Sequence, residues 1–286
     1  MDNGSRELQR VIETVGAGGR PEESGETTAP RAEPGPPAPP ERRAAYADAF
    51  AASVATRAYA AGLAERGVAL VVLPGAEAPV VESMSAQVAA AGGTVTATYT
   101  VQDLLVDPAE KSLVDTLGSQ LVQQLSESEV GADATAYDRI GELLGTAAAT
   151  TEKAGAPPGP DASAIVESLA GAGLVLASGE TQTRAPLVLV VLGGDTGPDT
   201  DPIVEGVLAG LARAARGVVV AGDAASAGDG ALSRLRSSTT ATAVTTVDGI
   251  DGPAGQATAV LALVRSLTTT GGAFGAAGAD GPVPLG

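Results

Sequence analysis

Residues 187–223 read LVLVVLGGDTGPDTDPIVEGVLAGLARAARGVVVAGD. An apolar run, LVLVVLGG, meets an acidic turn, DTGPDTDP, and an amphipathic segment, IVEGVLAGLARAARG, leads on to a second apolar run, VVVAGD. Short β-branched runs on either side of a helical segment indicate a strand, a crossover helix and a parallel strand, because strands buried on both faces lose the polar alternation of a half-exposed one. The same plan recurs upstream. VALVVL at 68–73 is followed by a helix predicted over 79–91, with Val81, Met84, Val88 and Ala91 at helical spacing. Pro79 suits its first turn and Gly92-Gly93 its end, and the alternating strand TVTATYTV starts at Thr94. The two units share an architecture, not a repeated sequence. They predict a doubly wound, mostly parallel sheet flanked by helices, a Rossmann-like three-layer α/β fold.

The rest of the chain extends this plan. Asp107-Pro108 starts a helix in which Leu113, Leu117, Leu121 and Leu125 recur every four residues and Lys111 can pair with Asp115 across one turn. A second helix is expected over 137–148. The loop GAPPGPDAS at 155–163 precedes a helix through Ile165, Val166 and Leu169, then a third strand, LVLAS, expected beside the strand at Leu187. Beyond Asp223 a turn, ASAGDG, and a polar segment around Leu232 and Leu235 lead to a last strand, ATAVTTV. The final helix, 255–267, carries Val260, Leu261, Leu263, Val264 and Leu267 round most of its circumference and is therefore expected to be buried.

At the front, Ala44 opens a helix that places Tyr46, Phe50, Val54 and Ala61 near one face and is closed by Gly67. Before it, SRELQRVIETV at 5–15 gives a short helix with Leu8, Val11, Ile12 and Val15 on one side. Eleven Gly and Pro residues from Gly18 to Pro40 make a disordered Pro-rich linker, which cannot bury enough apolar area to offset its ordering entropy and reads as a plain spacer. The expected organisation is a short helix and linker over 1–43, an α/β domain over 44–272, and a flexible Gly- and Ala-rich tail over 273–286.

Composition removes many functions. The chain has no Cys and no His, so thiolate and imidazole chemistry, disulfides and the usual zinc sites are out of reach. With 17 Lys and Arg against 34 Asp and Glu, the formal charge is -17, which opposes nucleic acid and anionic lipid surfaces as partners. Aromatics are 2% of residues, so the core is built from Ala, Val, Leu and Gly. No run approaches the roughly 18 apolar residues of a membrane-spanning helix, and the first nine residues lack a signal-peptide hydrophobic region.

A ligand crevice is expected where parallel strands end, at Gly75, Gly193, Gly194, Asp195 and Asp223. The GGxxG spacing is not the dinucleotide fingerprint, and no P-loop GK[ST] occurs. Asp195, Asp199 and Asp201 could offer oxygens to a hard cation. Asp201-Pro202 reads more simply as a helix start with a capping carboxylate, and Asp248 and Asp251 as turn and cap residues. No histidine is present to activate a serine or threonine, and no Trp to stack a sugar, so no catalytic residue and no cofactor are expected.

Three stretches carry a resemblance: ADAFAASVATRAYAAGLAERGVALVVLPGAE (47–77), AAAGGTVTATYTVQDLLVDPAEKSLVDTL (89–117) and, most specific, TTVDGIDGPAGQATAVLALVRSL (245–267). Together they resemble the MctB-type copper transport protein family, whose relatives include SteB-like partners of a cell-division protein. The resemblance implies an envelope protein with an N-terminal membrane anchor, a short coiled coil and a domain outside the cytoplasmic membrane, linked to copper efflux or homeostasis. It also implies a protein partner, such as a division or wall-remodelling factor, and leaves homo-oligomerisation open. No such anchor is read in this chain, so any membrane attachment would need one absent from it. Copper finds poor ligands here, because Cu(I) prefers thiolate and thioether sulfur and Cu(II) imidazole, and only Met1 and Met84 carry sulfur. Met84 reads as a core residue. A membrane barrel would need aromatic girdles that two Phe and four Tyr do not supply.

Overall fold

A computed structural model describes residues 39–125, 130–131, 134–179 and 183–285. The helix expected at 5–15 and most of the Pro-rich linker lie outside them. Residues 41–286 cluster as one unit. Its strands are β1 Gly67–Val72, β2 Thr94–Val101, β3 Val175–Ser178, β4 Leu187–Val191, β5 Gly217–Ala221, β6 Thr245–Val247 and β7 Ala273–Phe274. They form an open seven-stranded sheet in the order β3-β2-β1-β4-β5-β6-β7. All neighbours are parallel except β2 and β3. The doubly wound fold read from the sequence is therefore the fold observed.

Strand alternation builds the three layers. Ala69, Val71, Val188, Val190, Val218 and Val220 face one side of the sheet, and Val68, Leu70, Leu187, Leu189 and Val219 the other. The long helices are α1 Pro40–Ala58, α2 Ala78–Ala90, α4 Lys111–Gln124, α5 Ala136–Ala148, α6 Pro160–Gly171, α7 Asp201–Ala214 and α9 Pro253–Ser266; α3 Asp103–Val106 and α8 Ala231–Arg236 are short. The first face is covered by α3 to α8, the second by α2, α9 and the end of α1. Met84 is fully buried among the second set. Gly92, at φ 82°, ends α2 as expected, because its amide and that of Gly93 turn back to the Ala89 and Val88 carbonyls.

Several local expectations give way. β3 pairs antiparallel with β2 at the sheet edge, away from β4, because the preceding α6 returns the chain there. Asp115 pairs with Arg139 of α5 at 2.7 Å instead of Lys111 on its own helix. Helix α1 begins at Pro40, four residues before Ala44, since proline fits a first helical turn. Its Tyr46, Phe50 and Val54 lie exposed, and it reaches the body through Ala55, followed by Tyr59 and Leu63. Residues 273–285 are tied down, correcting the expected flexible tail: β7 pairs with β6, and Asp248 accepts hydrogen bonds from the Ala276 and Ala277 amides. A two-residue strand carries no periodicity by which a sequence could announce it.

Helices α5 and α7 meet backbone to backbone. Gly141 and Gly145 face Gly206 and Gly210, and a Cβ on Gly141 would stand 2.6 Å from the Val207 carbonyl oxygen and 2.7 Å from that of Gly206. Small residues four apart allow this approach; larger ones would hold the helices at ordinary spacing.

Candidate functional site

The winding of the sheet reverses between β1 and β4, so the chain leaves β1 for α2 on one face and β4 for α7 on the other. Loops that part in this way open a crevice at the carboxyl ends of the strands. Here the loops first cross: Gly193 lies so close to the Pro74 carbonyl and the Ala76 amide that no side chain fits, and a Cβ on Gly75, at φ 80°, would stand 2.9 Å from the Gly194 amide. Backbone crossing, not a phosphate cradle, accounts for these glycines.

The crossing divides the crevice into two depressions. One, about 520 Å³ with its mouth, is lined by Gly75, Glu77, Gly193, Gly194, Asp223 and Asp251, together with Val80 and Ile250. Four of the five residues expected at the crevice therefore meet there. Their acids serve turns: Asp223 accepts from the Ser226 amide at 2.7 Å and Asp251 from the Ala224 amide at 3.0 Å. The other, a shallow depression, lies toward α7 and is lined by Leu73, Val106, Leu192, Val204 and Leu235, with Thr196, Thr200, Asp201 and Glu205 at its polar side.

The fifth expected residue, Asp195, lines neither space. It is drawn to Arg234 of α8, which reaches it through Nη2 at 2.6 Å and holds Asp201 through Nε, also at 2.6 Å. This guanidinium and the Gly197 amide hold the Asp195 carboxyl below the usual carboxylate range, while the two carboxylates push Arg234 above its ordinary value. Asp201 does begin α7, yet its side chain serves Arg234 and makes no cap; Asp199 is exposed. Asp248 and Asp251 likewise leave α9 uncapped by any side chain. Asp248 is buried and pairs at 2.9 Å with Arg236, which also donates to the Phe274 carbonyl. The sequence reading missed Arg234, Arg236 and Glu205. For Glu205 a signal existed: an acid four residues after Asp201, which puts two carboxylates on one face of the helix.

Among the described residues, no group of three or more Asp, Glu, His or Cys side chains is placed to hold a metal ion, and no helix is long and apolar enough to cross a membrane. The fold and crevice define a class: a doubly wound α/β domain whose switch point is occupied by crossing loops and engaged acids. A family model described as "Copper transport outer membrane protein, MctB" matches residues 39–284. The chain belongs to this family, and so to the copper-transport-related proteins of the cell envelope. No curated protein matches it.

Proposed function

We propose that this chain is a non-enzymatic envelope component of copper homeostasis that acts by contact with a partner protein and does not itself hold copper. Its place is the extracytoplasmic side of the cytoplasmic membrane, as the family resemblance implies, and it needs no cofactor. The observation that carries this reading is on α1. Of six Phe and Tyr in the chain, Tyr59, Tyr99, Tyr137 and Phe274 are buried, whereas Tyr46 and Phe50 are 73% and 56% exposed on one stripe with Val54. Their rings stack with centroids 6.4 Å apart. Apolar side chains at i, i+4 and i+8 on a nineteen-residue helix match the spacing by which one helix packs into the groove of another. The occupant is an apolar helix of the partner.

Copper chemistry supports the second half of the proposal. Soft copper needs sulfur or imidazole, the chain has no Cys or His, and Met84 is sealed in the core. Calorimetric titration with Cu(I) and Cu(II) is expected to give no saturable binding at micromolar concentration, and a stoichiometric site would overturn that half. For the contact, Tyr46→Glu and Phe50→Glu are expected to abolish retention of an envelope protein that slows hydrogen exchange over residues 40–58. Retention unchanged in both variants, or exchange unaffected, would sink the assignment of α1; light scattering that shows a stable dimer through the same stripe would name a second copy as the occupant instead.

A further inference from the structure

The amino ends of the strands carry charge of the opposite sign to the crevice. Arg66 stands one residue before β1, Arg184 three before β4 and Arg216 one before β5, and these neighbouring strands are in register at Val68, Leu187 and Gly217. At about 4.8 Å between strands, the three strand feet span about 10 Å. The loop after α5 joins them. Arg66 donates through Nη1 to the Lys153 carbonyl at 2.9 Å, Arg184 exchanges backbone hydrogen bonds with Ala156, and the Arg216 amide donates to the Pro186 carbonyl. Four cations, Arg66, Lys153, Arg184 and Arg216, therefore share one surface.

No carboxylate answers them. Arg139, Arg213, Arg234 and Arg236 each pair with an acid, as expected in a chain with 34 acids to 17 bases, but none of these four does so among the described residues. The acids next to them in sequence, Glu65 and Glu152, are exposed and pair with none of them. The negative helix ends nearby already have donors: the Ala148 carbonyl of α5 accepts from the Ala185 amide, and the Leu267 carbonyl after α9 accepts from Arg216 Nε at 3.1 Å. Arg184 is half-buried, its guanidinium bonds to no described residue, and its Nε is wholly covered from solvent. A covered donor on a charged fork is costly without an acceptor. Arg66 and Arg216 are each pinned by one backbone carbonyl, which leaves most of their five N–H groups unused.

An occupant must bring several negative acceptor oxygens over about 10 Å, the length of about three residues of extended chain. Consecutive Asp and Glu side chains supply this, and guanidinium forks take carboxylates in pairs. A membrane or a duplex would instead set an extended negative surface against a whole body that carries a charge of -17. A short acidic segment meets only the local surface, because charges beyond about 10 Å are largely screened. We propose that the amino end of the sheet docks an acidic segment of another protein, with Arg184 at the centre and Arg66, Lys153 and Arg216 around it. This surface is separate from the α1 stripe, and the proposal stands or falls apart from that contact.

The test is an NMR titration of the intact chain with hexaglutamate, with hexaglutamine as the uncharged reference. Hexaglutamate is expected to shift the amides of residues 66, 153–156, 184 and 216 saturably at about millimolar concentration in low salt, and to bind about tenfold more weakly at physiological salt. Hexaglutamine should not bind. Arg184→Gln is expected to weaken hexaglutamate about fivefold, and Arg184→Lys, which keeps the charge and loses the fork, by less. Lys153→Gln, on a side chain that holds nothing in the fold, should weaken it too and keeps the test open if Arg184→Gln does not fold. Lys111→Gln, which removes one exposed cation at the other end of the sheet, should change nothing. No saturation by hexaglutamate, an equal loss in Lys111→Gln, or an affinity unchanged in both Arg184→Gln and Lys153→Gln would each overturn the proposal. Cosedimentation with vesicles of phosphatidylcholine and phosphatidylglycerol that Arg184→Gln abolishes would overturn it in favour of a membrane. Self-association in the ultracentrifuge lost in the same variant would overturn it in favour of the acidic end of a second copy.

Discussion

Replacing Gly141 by alanine tests whether the close approach of α5 and α7 is a requirement of this fold. A Cβ at that position would stand 2.6 Å from the Val207 carbonyl oxygen, where carbon and oxygen normally keep about 3.3 Å. The helices must part by about 0.7 Å along a contact made largely of backbone. A gap of that size forfeits roughly a quarter to a half of the dispersion energy of each atom pair it opens. Overpacking of this kind costs about 1–3 kcal/mol, and the upper end applies because rigid backbone, not a side chain, stands in the way. Alanine returns about 1 kcal/mol through its higher helix propensity. The net expectation is a loss of about 2 kcal/mol, or about 4–8 °C in melting temperature for a domain of this size. Gly171, at the exposed end of α6 with nothing within 4 Å of its Cβ position, is the control. Gly171→Ala should stabilise by about 0.5–1 kcal/mol from propensity alone. Thermal unfolding by circular dichroism reads both. If Gly141→Ala melts at or above the parent temperature, the glycine contact is not what sets the helix spacing.

Arg236→Met leaves Asp248, 1% exposed, without its cation; the expected loss is about 3–5 kcal/mol, and hydrogen exchange over residues 273–277 should quicken, since both side chains hold that segment. Burial pushes the Tyr99 hydroxyl up to about 12 from 10.0, so its contribution to stability is complete below pH 10 and is lost as pH rises from there through about 12. Tyr99→Phe should remove that part of the alkaline slope in denaturant titrations and the last-ionising phenol from the ultraviolet titration. Asp195 is held low chiefly by Arg234, so the stability of this pair is present above the ordinary carboxylate value of 3.8 and fades as pH falls below it. In Arg234→Met the Asp195 carboxyl should titrate higher by carbon NMR, and an unchanged titration would refute the pairing.

The sheet was legible in the sequence because strands buried on both faces, VALVVL and LVLVV, admit few alternatives once helical segments separate them. The ends of α2 at Pro79 and Gly92 were legible for the same local reason: proline and glycine act through the backbone of their own turn. The crevice was located by topology, and four of its five expected residues meet there. What escaped were long-range pairings. Asp195 meets Arg234 across 39 residues and Asp248 meets Arg236 across 12, and a carboxylate near a turn looks in sequence like a cap whichever partner it takes. The exposure of Tyr46 and Phe50 was equally hidden, since a helical stripe states which residues share a face and not what covers it.

The scarcity of large side chains connects the helix contact and the exposed aromatic pair. Helices faced with Gly and Ala can approach until their backbones touch, as α5 and α7 do, and the core on the first face of the sheet is aliphatic apart from Tyr99 and Tyr137. In a chain packed this way an exposed aromatic pair is costly and has no role in the core it leaves. The placement of Tyr46 and Phe50 on a helix whose buried residue is Ala55, near its far end, therefore argues for a surface used by something else.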